Sequence, residues 1–143
     1  MPPPPDLTIK RAIRAAEFRA ALRAFQSQSE QVLRNWNLTT QRYLLLLFVK
    51  GALDGSERPT MTELRDRLKV SPNTVTDLVT RAEEAGLVAR EAAERDLRFV
   101  HVRLTRKGER VLAGAFAETE QYRRELARGF DVLADAFRAA NRR

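Results

Sequence analysis

The chain has 143 residues, of which 43% are hydrophobic and 31% charged, a composition that suits one compact domain and excludes a disordered chain. The longest wholly apolar run, residues 44–49, is far shorter than the roughly 18 to 20 residues of a membrane-spanning helix, and the lack of cysteine excludes disulfides and thiolate chemistry. The net charge of +7 and the pI near 10.7 favour a polyanionic partner, either nucleic acid or an anionic membrane surface.

The first residues, Met1 to Asp6, lack the basic stretch and apolar core of a signal peptide. We therefore expect a cytoplasmic protein without a membrane partner. Arginine far outnumbers lysine, which suits bidentate contacts to phosphate or guanine. A GC-rich genome would produce the same bias.

Two helices are predicted in the N-terminal third of the chain. Apolar residues at steps of three and four, without glycine or proline, predict a long amphipathic helix over about residues 8–34. A second helix is predicted to begin near Thr39, its N-cap, and to extend to about Ala52. Because this helix is apolar nearly all round, we expect it at the centre of the core.

A helix-turn-helix is predicted next. Thr60 and Glu63 form the pattern of a capping box, which opens a short helix. Ser71 suits the N-cap of a following helix and Pro72 its first position, and Gly86 is placed to end it. Two short helices joined by a turn are the outline of a helix-turn-helix.

The C-terminal half is predicted to contain a hairpin and further helix. Residues 87–90 and 99–104 predict two strands with a charged tip between them, since apolar and polar residues alternate in the second. Thr105 can cap a long helix with an apolar stripe, which Gly129 is expected to break. A last short helix would place Phe130, Leu133, Ala134 and Phe137 on one face. We therefore expect a mainly α fold with a small β-hairpin wing.

The predicted helix after Ser71 carries short polar side chains that could reach base edges in a DNA major groove. They are Asn73, Thr74, Thr76, Asp77, Thr80 and Arg81. An ordinary solvated helix face explains the same residues. The basic-tipped hairpin that follows favours DNA recognition, because two helices and such a hairpin make a winged helix-turn-helix.

At these residues the chain resembles the MarR (multiple-antibiotic-resistance regulator) family of bacterial transcription factors, across about residues 38–114. The resemblance depends on the order and spacing of six short blocks. They are Leu38-Thr39 with Gln41, Thr62-Glu63-Leu64, Ser71 to Thr76, Glu84 to Val88 with Arg90, Asp96-Leu97-Arg98, and Leu104 to Gly108. The family fold is a winged helix-turn-helix flanked by N- and C-terminal dimerisation helices.

The resemblance implies one domain over residues 1–143, with a winged helix-turn-helix core at about 38–108 and dimerisation helices at about 8–34 and 109–140. It also implies a homodimer that binds a pseudo-palindromic operator in double-stranded DNA. Such a protein is a sequence-specific transcriptional regulator, more often a repressor than an activator. The outer helices offer apolar residues either for dimer contacts or for an intramolecular core, such as Ile9, Ile13, Phe130, Leu133 and Phe137.

The resemblance assigns DNA binding to the second helix of the motif and to the hairpin tip. The residues are Ser71, Pro72, Asn73, Thr74, Thr76, Asp77, Thr80, Arg81, Arg95, Asp96 and Arg98. Arg98 would enter the minor groove with Asp96 fixing its orientation, although these two could form only a surface ion pair. Two departures from the family pattern, Asp77 and Leu97, imply an altered operator and one phosphate contact fewer.

The resemblance also implies a small aromatic or phenolic effector. The candidate contacts are Phe25, Trp36, Arg42, Tyr43, Leu47 and Phe116, with Arg34 as a second anion partner; each aromatic residue could instead belong to the core. A single histidine, His101, and the lack of a glycine-rich phosphate loop or metal-ligand spacing predict no enzyme and no cofactor. The alternative is a winged-helix module for protein contacts or non-specific DNA binding, without ligand control.

Overall fold

The structure is a computed structural model, which describes residues 1–2, 6–92 and 99–142. The elements are α1 (Ile9–Asn35), α2 (Thr40–Lys50), α3 (Met61–Leu68), α4 (Pro72–Glu84), β1 (Val88–Ala92), β2 (Val100–Leu104) and α5 (Arg106–Asn141). This confirms the expected fold class, which is mainly helical with one two-stranded antiparallel hairpin.

The chain forms two compact units. One consists of Met1–Gln31 with Glu118–Arg143, and the other of Val32–Ala117. The helix-turn-helix and the hairpin both lie within Val32–Ala117. In the other unit the rings of Phe18 and Phe130 lie 5.3 Å apart, and Leu133 is buried.

Side-chain caps fix where the central helices begin. The Thr39 hydroxyl accepts from the Arg42 amide at 3.1 Å, and α2 ends at Lys50, shortly before the expected Ala52. The capping box before α3 is complete, because the Thr60 hydroxyl accepts from the Glu63 amide and the Glu63 carboxylate from the Thr60 amide. These contacts satisfy amides that the first turn of a helix leaves unpaired.

The core of Val32–Ala117 is built around α2. Its apolar run supplies Leu45, Leu46 and Val49, which are fully buried against residues from α3, α4 and β2. Each buried aliphatic side chain of this size contributes about 1.5 to 3 kcal/mol, so α2 is a main source of the unit's stability. Within the residues that the structure covers, no helix is long and apolar enough to cross a membrane.

The two strands pair antiparallel in the register Val88↔Leu104 to Ala92↔Val100. The loop before α3 pairs with the outer edge of β2, where the Val102 amide donates to the Pro59 carbonyl at 2.9 Å. A ring nitrogen of His101 lies 2.8 Å from the Arg58 carbonyl oxygen. The segment that leads into α3 thereby holds the middle of β2.

The expected break at Gly129 is wrong, because α5 continues through it to Asn141. Glycine disfavours a helix interior by only about 1 kcal/mol, and the helix carries buried residues on both sides of this position, including Thr119 and Leu133. Their packing outweighs the weak propensity of a single residue.

Candidate nucleic-acid interface

The helix α4 separates an apolar face from a polar one. Val75, Val79 and Ala82 are buried in the core. On the opposite side the side chains of Asn73, Thr76, Asp77 and Arg81 are exposed, whereas Thr74 and Thr80 are half-buried. The structure therefore brings most of the predicted DNA-contacting residues of this helix onto one solvent-facing surface.

The N-terminal end of α4 is capped as predicted. The Ser71 hydroxyl accepts from the Thr74 amide at 3.1 Å, and Pro72 occupies the first turn. The Thr76 hydroxyl donates to the Pro72 carbonyl at 2.9 Å. These hydroxyls thus have local partners within the helix.

Lys69 lies in the turn between α3 and α4, where the sequence analysis did not single it out. Its φ of 56° is in the left-handed region, and its backbone amide donates to the Arg65 carbonyl at the end of α3. The side chain is exposed two residues before the N-cap of α4. A cation beside a helix N-terminus favours an anion such as phosphate. In the sequence, a basic residue in the turn of the predicted helix-turn-helix could have indicated this phosphate contact.

Asp77 and Arg81 form an ion pair one turn apart on the exposed face, with Arg81 Nε 3.3 Å from Asp77 Oδ2. Exposed pairs of this kind contribute only about 0 to 1 kcal/mol. Arg81 can therefore exchange this partner for another acceptor at small cost.

Arg90 of β1 bonds directly to α4. Its guanidinium donates to the Thr80 hydroxyl at 2.8 Å, to the Thr76 carbonyl at 3.3 Å and to the Glu83 carboxylate at 3.1 Å. Thr80, predicted to face DNA, is therefore engaged with the hairpin. Sequence reasoning missed this cluster because its members are joined only by the pairing of distant segments.

The three predicted residues of the hairpin tip, Arg95, Asp96 and Arg98, lie outside the described residues. Their roles stay predictions. Near the C-terminal end of β1, the Glu91 carboxylate pairs with Arg58 at 3.1 Å and with Arg103. This carboxylate joins β1 to β2 and to the loop before α3.

The predicted effector contacts are distributed over several environments. Leu47 and Phe116 line one cavity of about 300 Å³, together with Lys50, Gly51, Glu109, Leu112 and Ala113. Tyr43 is buried in the core, and the Trp36 ring covers Gly114, where an added Cβ would lie 2.1 Å from the ring. Phe25 lines a different cavity with Tyr122, within the unit that contains residues 1–31. Arg42 lines neither of these two cavities.

Lys50 supplies a cation to the cavity of Leu47 and Phe116. Its ammonium pairs with Glu57, and with Glu109 at 3.1 Å, and hydrogen bonds to both carboxylates raise the pKa of Lys50. Sequence reasoning had offered Arg34 and Arg42 for this role and missed Lys50. In the sequence, a lysine in the last turn of the apolar second helix could have indicated this cation.

The part of the chain from α2 through β1 resembles known proteins. Residues 36–98 match the MarR family. The chain is 32% identical over 93 residues to the HTH-type transcriptional regulator FarR of Neisseria gonorrhoeae, covering 64% of the chain and 60% of FarR. It is 32% identical over 89 residues to an organic hydroperoxide resistance transcriptional regulator of Bacillus subtilis, covering 62% of the chain and 58% of the relative. The matched part thus spans about three fifths of these relatives.

The fold is also shared with solved structures. AbsC, a MarR family transcriptional regulator of Streptomyces coelicolor, superposes with a TM-score of 0.70 at 23% identity, covering 95% of this chain and 99% of AbsC. A second MarR family regulator of the same organism, in complex with DNA, gives a TM-score of 0.73 at 21% identity, covering 97% of this chain and 90% of that one.

Proposed function

We propose that the chain is a member of the MarR family and a sequence-specific DNA-binding transcriptional regulator, which acts as a homodimer on a pseudo-palindromic operator. The observation that carries this proposal is the exposed polar face of α4, which lies beside the hairpin in one compact unit. Residues 36–98, the part that matches the family, contain α4 and β1, the first strand of the hairpin. One related structure is described as a complex with DNA.

In this proposal α4 enters the major groove. Asn73, Asp77 and Arg81 face solvent and have the donor and acceptor groups that read base edges. Lys69 and the capped N-terminus of α4 contact backbone phosphates. The acidic Asp77 accepts from a cytosine amino group or holds Arg81 in place, so the operator contains bases that suit this pair.

The hairpin contributes a second contact in the minor groove. We assign this contact to Arg98, whose guanidinium Asp96 orients, and we count Arg95 among the residues that contact DNA. Leu97 provides no phosphate contact, so the affinity depends less steeply on salt than with a second arginine.

Dimerisation is supported by apolar side chains in the unit that contains both chain ends. Ile9, Ile13, Val132 and Phe137 are exposed there, with Ile9 at 80% and Val132 at 69%. Phe130 and Leu133, by contrast, already pack within the unit. A second copy would cover the exposed set and place two copies of α4 about one DNA turn, or 34 Å, apart.

An aromatic acid is the effector that the cavity of Leu47 and Phe116 would take. Its apolar walls suit a ring, and Lys50 at its rim suits a carboxylate. We propose that the regulator is a repressor, and that such an acid competes with Glu57 and Glu109 for Lys50 and releases the DNA.

The test begins with selection of duplexes from a random library by the purified protein, followed by fluorescence anisotropy on the selected duplex and on a random one. We expect one enriched pseudo-palindrome, bound about a thousandfold or more above random DNA. Selection without enrichment, or equal affinity for both duplexes, would contradict the proposal and indicate a module for non-specific binding or protein contacts.

A pair of matched variants locates the interface. Arg81→Ala should weaken binding to the selected duplex by about 1 to 3 kcal/mol, the usual scale for one base contact. Arg124→Ala is the control, because Arg124 forms a similar exposed ion pair one helical turn from Glu120 in α5. Equal effects of the two substitutions would exclude α4 as the reading helix.

A further inference from the structure

Arg90 forms four hydrogen bonds that join β1 to α4. Three come from its guanidinium, to the Thr80 hydroxyl, the Thr76 carbonyl and Oε1 of Glu83. The fourth comes from its backbone amide, which donates to Oε2 of Glu83 at 3.2 Å. One arginine therefore contacts three successive turns of the same face of α4.

The side chains of Arg90 and Glu83 can form this contact only in one relative orientation of β1 and α4. The planar guanidinium offers donors in a rigid fork, and the two carboxylate oxygens of Glu83 bind the guanidinium and the β1 backbone separately. The side chains of Arg90 and Glu83 are 30% and 41% exposed, so solvent weakens their Coulomb attraction. The value of the contact lies in fixing a position, since several bonds must shift together if β1 moves along α4.

The neighbouring residue of β1 faces the other way. Side chains alternate between the two faces of a strand, and Glu91 bonds to Arg103 of β2 and to Arg58. The hairpin is thus internally tied by Glu91, whereas Arg90 ties it to α4.

We infer that Arg90 is a positioning residue, which holds the hairpin and α4 in one fixed arrangement so that both meet the DNA together. This inference rests on the proposed function. Specific binding needs α4 at the base edges and the hairpin tip in the adjacent groove at the same time, so a rigid joint avoids the entropy cost of ordering them on binding. Non-specific contacts to phosphates tolerate misalignment, and they depend far less on this joint.

The measured quantity is the specificity ratio, defined as the dissociation constant for random DNA divided by that for the selected duplex, at fixed salt. An unfolded fraction lowers both affinities equally and leaves this ratio unchanged, so a purely structural role would not alter it. Arg90→Gln should lower the ratio about tenfold, within the range for the loss of one specifying contact. Arg103→Gln is its control, because it removes the same charge from the same hairpin without touching α4, and it should change the ratio less than twofold.

A second pair of variants keeps the test decisive if Arg90→Gln fails to fold. Glu83→Gln removes a negative charge, which by electrostatics alone should strengthen binding to every duplex. Its loss of the Arg90 contact should nevertheless lower the specificity ratio about tenfold. Glu84→Gln removes the same charge from the next residue, which takes no part in the four hydrogen bonds of Arg90, and should leave the ratio within twofold of wild type.

The wild-type ratio separates the two hypotheses. A wild-type ratio near one refutes both the proposed function and the inference that rests on it. A high wild-type ratio that persists in Glu83→Gln, and in Arg90→Gln if that variant folds, overturns the role of Arg90 alone. A selective fall in these variants, with both controls unchanged, establishes it.

Discussion

Gly108 in the first turn of α5 lies so close to the backbone of Leu87 that one added methyl group should destabilise the fold. A Cβ added there would lie 2.0 Å from the Leu87 carbonyl oxygen and 3.0 Å from its carbon, whereas ordinary contact begins at 3.4 Å. The obstacle is backbone, which cannot rotate away. The same carbonyl accepts from the Thr105 amide at 3.0 Å, so moving it breaks a bond between the residue before β1 and the residue before α5.

The magnitude for Gly108→Ala follows from three contributions to the free energy of unfolding. Overpacking at a close-packed site costs about 1 to 3 kcal/mol, and the lost hydrogen bond about 1 kcal/mol. Alanine returns at most about 1 kcal/mol through its helix propensity. We therefore expect a loss of about 2 kcal/mol, which lowers Tm by about 6 °C in a chain of this length.

Urea unfolding followed by far-UV circular dichroism measures this change, at matched protein concentration because the proposed dimer makes stability concentration-dependent. Gly129→Ala is the control within the same helix. A Cβ at Gly129 meets no atom within 4 Å, so this variant should gain about 0.5 to 1 kcal/mol. If Gly108→Ala were as stable as Gly129→Ala, the close approach of α5 to Leu87 would be wrong.

Three further predictions concern a cap, a carboxylate and the hairpin tip. Thr60→Ala should lower the free energy of unfolding by about 1 kcal/mol, because it removes the hydroxyl of the capping box; Thr60→Ser should restore most of it in the same urea assay. Hydrogen bonds from Ser56 lower the pKa of Asp54, so this carboxylate stabilises the fold above pH 3.8 and loses its contribution as the pH falls through its lowered pKa. Ser56→Ala removes the hydroxyl but keeps the backbone amide bond, so it should move that pKa upward in an NMR titration, and an unchanged value would exclude the hydroxyl as a cause. Arg98→Ala should weaken binding to the selected duplex by about 1 to 3 kcal/mol at matched salt without a change in Tm, and unchanged affinity would exclude the minor-groove role.

Local signals in the sequence predicted the helix starts, and the structure confirms them. Thr39, Thr60 and Ser71 each cap a helix through bonds to residues three positions away, and such contacts can be inferred from neighbours in the chain. The Gly129 prediction failed for the opposite reason. A local propensity of about 1 kcal/mol was overridden by packing that depends on distant residues.

The sequence predicted the part of the candidate site that lies on the single helix α4. The amphipathic pattern of α4 separates its buried residues from exposed ones such as Asn73 and Arg81. The side chain of Arg90 meets Thr76 and Thr80 only after β1 folds back beside α4, and Lys50 meets Glu109 across 59 positions. Periodicity in the sequence does not predict such pairs, because the tertiary fold determines which distant residues meet.

The bonds at the two margins of the hairpin have a consequence for solubility. A two-stranded sheet normally leaves two rows of unpaired amides and carbonyls, which invite strands from other molecules. Here Glu83 accepts the outward amide of Arg90 on β1, and the Pro59 carbonyl accepts that of Val102 on β2. Residues of the same chain thus occupy the middle of both outer edges of the hairpin. This opposes pairing between the hairpins of different molecules at high protein concentration.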